Sequence, residues 1–216
     1  PREAAAAYAA ALAQAPIGAL VLRQATALRA AGDAPAADAA LRSWLAANPD
    51  DDGVGLVLSQ FDIEAGRNAD AERRLERIVA RHPEDPVSLN NLAWLLGQRG
   101  GDPATRSRAL SLAERAFFLT PNPDTADTLG WIMARGGQAE RAVPLLRQSA
   151  AARASGQASG RPDPAAAYRL AYALRATGGR EEALTVLAIV YLVLGIVWIT
   201  PLKPLLRWME TGRWRV

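Results

Sequence analysis

Five stretches of the chain share one arrangement of apolar, small and polar positions: VLRQATALRAAG (21–32), GLVLSQFDIEAG (55–66), LNNLAWLLGQRG (89–100), ADTLGWIMARGG (126–137) and AYRLAYALRATG (167–178). Each has a small residue at its fifth place, apolar or aromatic residues around it, and a glycine to close. The pattern predicts short helices that approach a partner closely at the small residue and end at the glycine. The spacing is regular. Pro49 and Pro83, Gly32 and Gly66, and Ala37 and Ala71 each lie 34 residues apart, and Ala25, Ser59 and Ala93 take the same step.

Counted in that frame, five units begin at Gly18, Asp52, Pro86, Pro123 and Pro164. The third gains four residues before Ala109, and the fourth has no closing proline. Each unit is expected to be two antiparallel helices of about a dozen residues, too short to be stable alone in water. Small residues at Ala93, Gly130 and Ala171 let the first helix of a pair (helix A) close on its partner. Ala37, Ala71, Ala109 and Ala142 do the same from the second (helix B). Prolines that open or follow a unit stop one helix and permit the next. REAAAAYAAALAQ (2–14) reads as helix B of an earlier, partial repeat within 1–17, because alanine favours helix. RASGQASGRPDP (153–164) reads as a flexible insertion between units four and five.

A 34-residue period with Ala, Gly and Pro at these offsets resembles the tetratricopeptide repeat (TPR) family. The resemblance implies an all-α fold, a TPR-type right-handed α-solenoid over 18–187 with a concave face, closed by a C-terminal hydrophobic helix. In TPR proteins the second, fifth, ninth, twelfth and thirteenth positions of helix A line that groove. Carried over by position, they are Thr26 and Arg29, Gln60 and Glu64, Asn90 and Trp94, Asp127, Trp131 and Arg135, and Tyr168, Tyr172 and Arg175. The ninth position is aromatic in three successive units, which suits an extended peptide or an aligned helix. Equally, a tryptophan there could pack against the neighbouring helix A. The clamp by which some TPRs hold C-terminal carboxylates is disfavoured: Asn91 fits it, but Leu56, Gln60, Asp124 and Thr128 stand where its other members would be.

LNNLAWLL, LAERAFFLTPN, DTLGWI and GQAERAVPLLRQSA narrow the resemblance, over roughly 85–187. They look like the final repeats of long TPR proteins of bacterial PEP-CTERM/exosortase and exopolysaccharide systems. That likeness implies an assembly role at the cell envelope, not a reaction.

Composition adds mainly exclusions. Half the residues are apolar, so a sizeable core is available, and the absence of cysteine removes disulfides and thiolate metal sites. The net charge is +3, but residues 183–216 hold Lys203, Arg207, Arg213 and Arg215 against Glu210 and so carry all of it. The remaining 182 residues are balanced, which argues for a mixed, solvated surface and against a nucleic-acid partner. His82, the only histidine, precedes Pro83 at a helix end, where it complements the helix dipole. Pro49-Asp50-Asp51-Asp52 is acidic but lacks the spacing of a calcium loop, so it reads as an inter-repeat turn. No catalytic motif is visible. The expectation is a non-catalytic protein-interaction scaffold with a peptide or helix partner, no cofactor and no metal. Self-association is left open.

The ending departs from the repeat. ALTVLAIVYLVLGIVWITPL (183–202) is uncharged over twenty residues, about 30 Å of helix, which matches a bilayer's hydrocarbon core. Trp198 and Trp208 lie toward one end, and the basic tail 203–216 follows. Read as a transmembrane helix, the positive-inside rule places the tail in the cytoplasm and the repeats on the periplasmic side of a bacterial inner membrane. Two other readings stand beside it. In a soluble adaptor the run would cap the solenoid or dimerise. Alternatively, GIVWITPLKPLLRWM, which resembles the end of small bacterial inner-membrane proteins of unknown function, would mark a fusion junction.

Overall fold

The computed structural model describes residues 1–156 and 163–188. Every regular element among them is a helix: α1 (Arg2–Gln14), α2 (Gly18–Ala30), α3 (Ala34–Ala47), α4 (Asp52–Glu64), α5 (Asn68–Arg81), α6 (Pro86–Arg99), α7 (Pro103–Leu119), α8 (Pro123–Arg135), α9 (Ala139–Gly156) and α10 (Pro164–Ala176). A further helical stretch covers 180–188. Helices α2, α4, α6, α8 and α10 begin at the first residues of the five sequence units. They divide into two compact units, Pro1–Leu119 and from Thr120 onward.

In the first unit α1 packs on α2, the pairs α2/α3, α4/α5 and α6/α7 form hairpins, and α2, α4 and α6 touch in succession. The second unit is built from the hairpin α8/α9 and from α10, which lies against both. The small residues sit where the helices close on one another: Ala25, Ser59, Ala93, Ala37, Ala71, Ala109 and Ala142 are buried. Around them Val21, Leu41, Val54 and Leu58 make one apolar cluster, with Trp44 and Phe61 packed at its edge. Each such leucine removed from water contributes about 1.5–3 kcal/mol.

The starts of α3, α4, α6, α8 and α10 are fixed by acids and amides placed one residue before them. Asp51 accepts from the Val54 amide at 3.1 Å, Asp85 from Ser88 at 2.9 Å and Asp163 from Ala165 at 2.9 Å. Asn122 and Thr125 form a reciprocal capping box. Pro86, Pro123 and Pro164 occupy the first helical position, where a missing N–H costs nothing. The acidic run 50–52 is accordingly a turn and a cap, and the indole of Trp44 donates to Asp51 Oδ2 at 2.7 Å.

The ends of the A helices are set by glycine. Gly66 has φ +75°, with open space where a Cβ would project. Gly66→Ala is therefore expected to cost about 1 kcal/mol through backbone strain alone. Gly53→Ala, inside α4, should instead gain up to about 1 kcal/mol. Denaturant midpoints of the two variants moving in the same direction would contradict this account.

The segment 153–164 differs from expectation. Without a closing proline α9 runs on to Gly156, so its first four residues are helical rather than loop. Arg153 holds them there through Asp124 at 2.6 Å and Asp163 at 3.6 Å. Residues 157–162 lie outside the described residues. So does most of the apolar run 183–202. Its beginning continues a packed helix: Ala183 is buried, and Glu182 pairs with Arg147 of α9 at 2.6 Å. Among the described residues no helix is long and apolar enough to cross a membrane.

Candidate functional site

Two helix-A faces, one in each unit, carry the residues read as groove-lining. In the first unit the face is largely occupied with itself. Arg29 pairs with Glu64 at 2.7 Å and lies 4.4 Å from the centroid of the Phe61 ring, and Gln60 donates to Glu64 at 3.1 Å. Burial alone would push the Glu64 carboxyl up, but Gln60 and Arg29 outweigh it and hold it below its ordinary value. Arg29, Gln60 and Glu64 thus tie α2 to α4. The Thr26 hydroxyl is spent on the Leu22 carbonyl of its own helix at 2.9 Å. Trp94 is half-buried, and Asn90 keeps a buried Oδ1 with no hydrogen-bond partner.

The second unit is arranged differently. Asp127, Trp131 and Arg135 follow each other at four-residue steps on α8, which puts them on one stripe. Tyr168, Tyr172 and Arg175 form the matching stripe on α10. Trp131 meets Tyr172 edge-on at 5.2 Å between centroids and Tyr168 at 6.2 Å. The Arg135 guanidinium lies 5.8 Å from the Trp131 ring. Trp131 is half-buried with its indole nitrogen enclosed, so it serves as a floor packed against the neighbouring helix A. The tyrosines remain open, Tyr168 being 56% and Tyr172 42% exposed.

Asp127 is not offered to a ligand, contrary to its reading as a groove residue. It is 3% exposed and accepts from Arg169 Nε at 3.0 and 3.2 Å, with Arg169 Nη2 at 2.8 Å. Burial pushes its carboxyl above the ordinary value, against the lowering effect of Arg169 and Arg153. Sequence reasoning missed Arg169, which is neighbour to a groove position but turned to the buried acid. His82 is the C-cap of α5, with Nε2 2.9 Å from Asp52. Among the described residues no cluster of His, Cys, Asp or Glu could hold a metal.

A Tetratricopeptide repeat model matches residues 28–95. A TPR repeat-containing protein of Pseudomonas aeruginosa is 32% identical over 114 residues, 51% of this chain and 18% of that protein. Residues 28–95 are thus similar to the tetratricopeptide repeat family. Cellulose synthase operon protein C of Pseudomonas fluorescens is 31% identical over 107 residues, 47% of this TPR chain and 8% of that protein. The TPR chain thus spans less than a fifth of the length of either curated relative. A TPR protein of Thermus thermophilus superimposes with a TM-score of 0.64, 22% identity, and coverage of 84% of this chain and 97% of that one. MamA superimposes at 0.57 with 18% identity, over 80% and 89% of the two chains. These likenesses establish the fold, an all-α solenoid of TPR type. A second model, Protein of unknown function (DUF2842), matches residues 166–212. It takes in Tyr168, Tyr172 and Arg175 together with the apolar run.

Proposed function

We propose that this TPR chain is a non-catalytic scaffold that binds a peptide or helix of a protein partner on its helix-A face. TPR folds are in general protein-interaction scaffolds. The observation that carries the reading here is the open pair Tyr168 and Tyr172, standing over Trp131 on adjacent helices. Large aromatic surfaces held rigidly and left accessible are the usual anchors of an interface. Selection of a random peptide library on the full chain tests it. Binders should lose about tenfold in affinity or more on Tyr172→Ala. Binders indifferent to Tyr168→Ala and Tyr172→Ala would remove the helix-A face from the proposal.

The placement we propose is the bacterial envelope. There the run 183–202 anchors the chain in the inner membrane, the repeats are periplasmic, and the chain serves an exopolysaccharide or protein-export assembly. The uncharged run, the basic tail and the likeness to a cellulose synthase operon protein support it. One observation favours the alternative, an apolar helix that caps the solenoid: Ala183 is already buried in the second unit. Carbonate washing of membranes separates the two. An anchored chain stays in the pellet until detergent is added, whereas a capped one is released.

A further inference from the structure

We infer that the cleft between α3 and α5 in the first unit binds a phosphate group, free or carried on a compact molecule. The site lies between two B helices and is independent of what the helix-A face binds. Its cavity, about 270 Å³, takes in Arg42, Leu45 and Ala46 of α3 with Arg74, Arg77 and Arg81 of α5. A neighbouring cavity of about 620 Å³ shares Arg42, Arg74 and Arg77 with it, so these three guanidiniums border both. Gly55 explains how one of them comes to be there. The fourth residues of the flanking units are Val21 and Leu89, each fully buried. In the second unit the fourth residue is Gly55, where a Cβ would stand 3.4 Å from Arg74 Cδ and 3.3 Å from Ile78 Cδ1. Without that side chain the Arg74 stem passes over α4 and reaches Asp62 at 2.8 Å.

Positive charge is in surplus on this side of α5. Arg42, Arg67 and Arg74 share only Asp38 and Asp62, three cations on two carboxylates. Arg77 is exposed and makes no hydrogen bond or ion pair among the described residues. The other acids nearby are engaged elsewhere. Asp70 pairs with Arg73, while Glu72 and Glu76 turn away to Arg99 and Arg108. Asp52 pairs with Arg81, and Asp51 accepts from the Val54 amide and the Trp44 indole at the start of α4. The surplus therefore sits at Arg42 and Arg77, which face one cleft from its two sides. A phosphate monoester brings about two negative charges near neutral pH and three acceptor oxygens that guanidiniums engage in paired hydrogen bonds. A carboxylate would meet only one of the two charges. The smaller cavity falls just below the about 300–1,000 Å³ of ordinary ligand pockets. Leu45, Ala46 and Pro49 give it an apolar wall for whatever compact group the phosphate carries.

The test is calorimetric titration of the full chain in detergent with phenyl phosphate, inorganic phosphate and benzoate. Phenyl phosphate should bind about tenfold tighter than benzoate. Its binding should weaken severalfold between low and high salt, since Arg77 is exposed. Arg77→Gln should weaken it about tenfold, and Arg77→Lys should restore most of that loss. Arg23→Gln, at an exposed arginine of α2, should leave it unchanged. Inorganic phosphate binding as tightly as phenyl phosphate keeps the site and makes free phosphate its ligand; weaker binding assigns the site to a phosphorylated molecule. Phenyl phosphate that fails to bind, binds no better than benzoate, or binds Arg77→Gln as well as wild type overturns the inference. These variants leave Tyr168 and Tyr172 untouched, so peptide binding on the helix-A face is read separately.

Discussion

Asp62→Ala is expected to destabilise the first unit by about 3 kcal/mol, among the largest effects of any single substitution in the chain. Asp62 is fully buried on α4, yet three guanidiniums reach it: Arg42 from α3, Arg67 at 2.6 Å from the turn before α5, and Arg74 at 2.8 Å from α5. Asp38 closes the network through Arg42 at 2.8 Å and Arg67 at 2.6 Å. Breaking a buried ion pair by removing one partner costs about 3–5 kcal/mol, because the other charge is left uncompensated. The low end applies here, since Arg42 and Arg67 stay partly in water and can be rehydrated. Burial would raise the Asp62 carboxyl, but hydrogen bonds from Arg67 and Arg74 and the charge of Arg42 prevail and lower it. A carboxyl lowered in the folded state adds stability above the unfolded value near pH 4, and that stability is lost as pH falls through the folded one. Wild type should therefore lose stability in acid more steeply than Asp62→Asn. Parallel stability–pH curves for the two proteins would refute this role.

The second large effect lies in the α8/α9 hairpin. A Cβ on Gly130 would stand 2.8 Å from Leu146 Cγ, 3.1 Å from its Cδ2 and 3.3 Å from the Ala142 carbonyl. Leu146 is fully buried, so Leu146→Ala should cost about 3–5 kcal/mol in lost transfer energy and residual cavity. Gly130→Ala overpacks the same spot at about 1–3 kcal/mol, offset by up to about 1 kcal/mol of helix propensity. The double variant is where the packing account is exposed. A methyl at 130 would enter the space vacated at 146, so the pair should be less destabilised than the sum by about 1 kcal/mol or more. A denaturation cycle that comes out additive would mean the two sites do not share that space.

Much of this was legible in the chain. The 34-residue step located helix starts at Gly18, Asp52 and Pro86, and the proline and glycine landmarks those at Pro123 and Pro164, because caps, prolines and closing glycines act on neighbours a few residues away. A further signal is the acid or amide one residue before α4, α6, α8 and α10. The positions needing small residues were equally plain, since a repeated close approach leaves a repeated Ala, Ser or Gly. The binding face was legible only as a set of positions. Within that set Asp127 turned out to be buried and Trp131 a floor, while Arg29, Gln60 and Glu64 were engaged with one another.

What the sequence determined by itself, then, is the repeat: helix, turn and close contact, each governed by backbone geometry over short separations. What only the tertiary structure decided is which charges are used up inside the molecule and which remain for a partner. Asp62 meets Arg42 across 20 residues, Asp127 meets Arg169 across 42 and Arg29 meets Glu64 across 35. Nothing local distinguishes these arginines from Arg77. Their pairing follows from long side chains converging across stacked helices, and that convergence depends on packing, which acts at distances the local pattern does not encode.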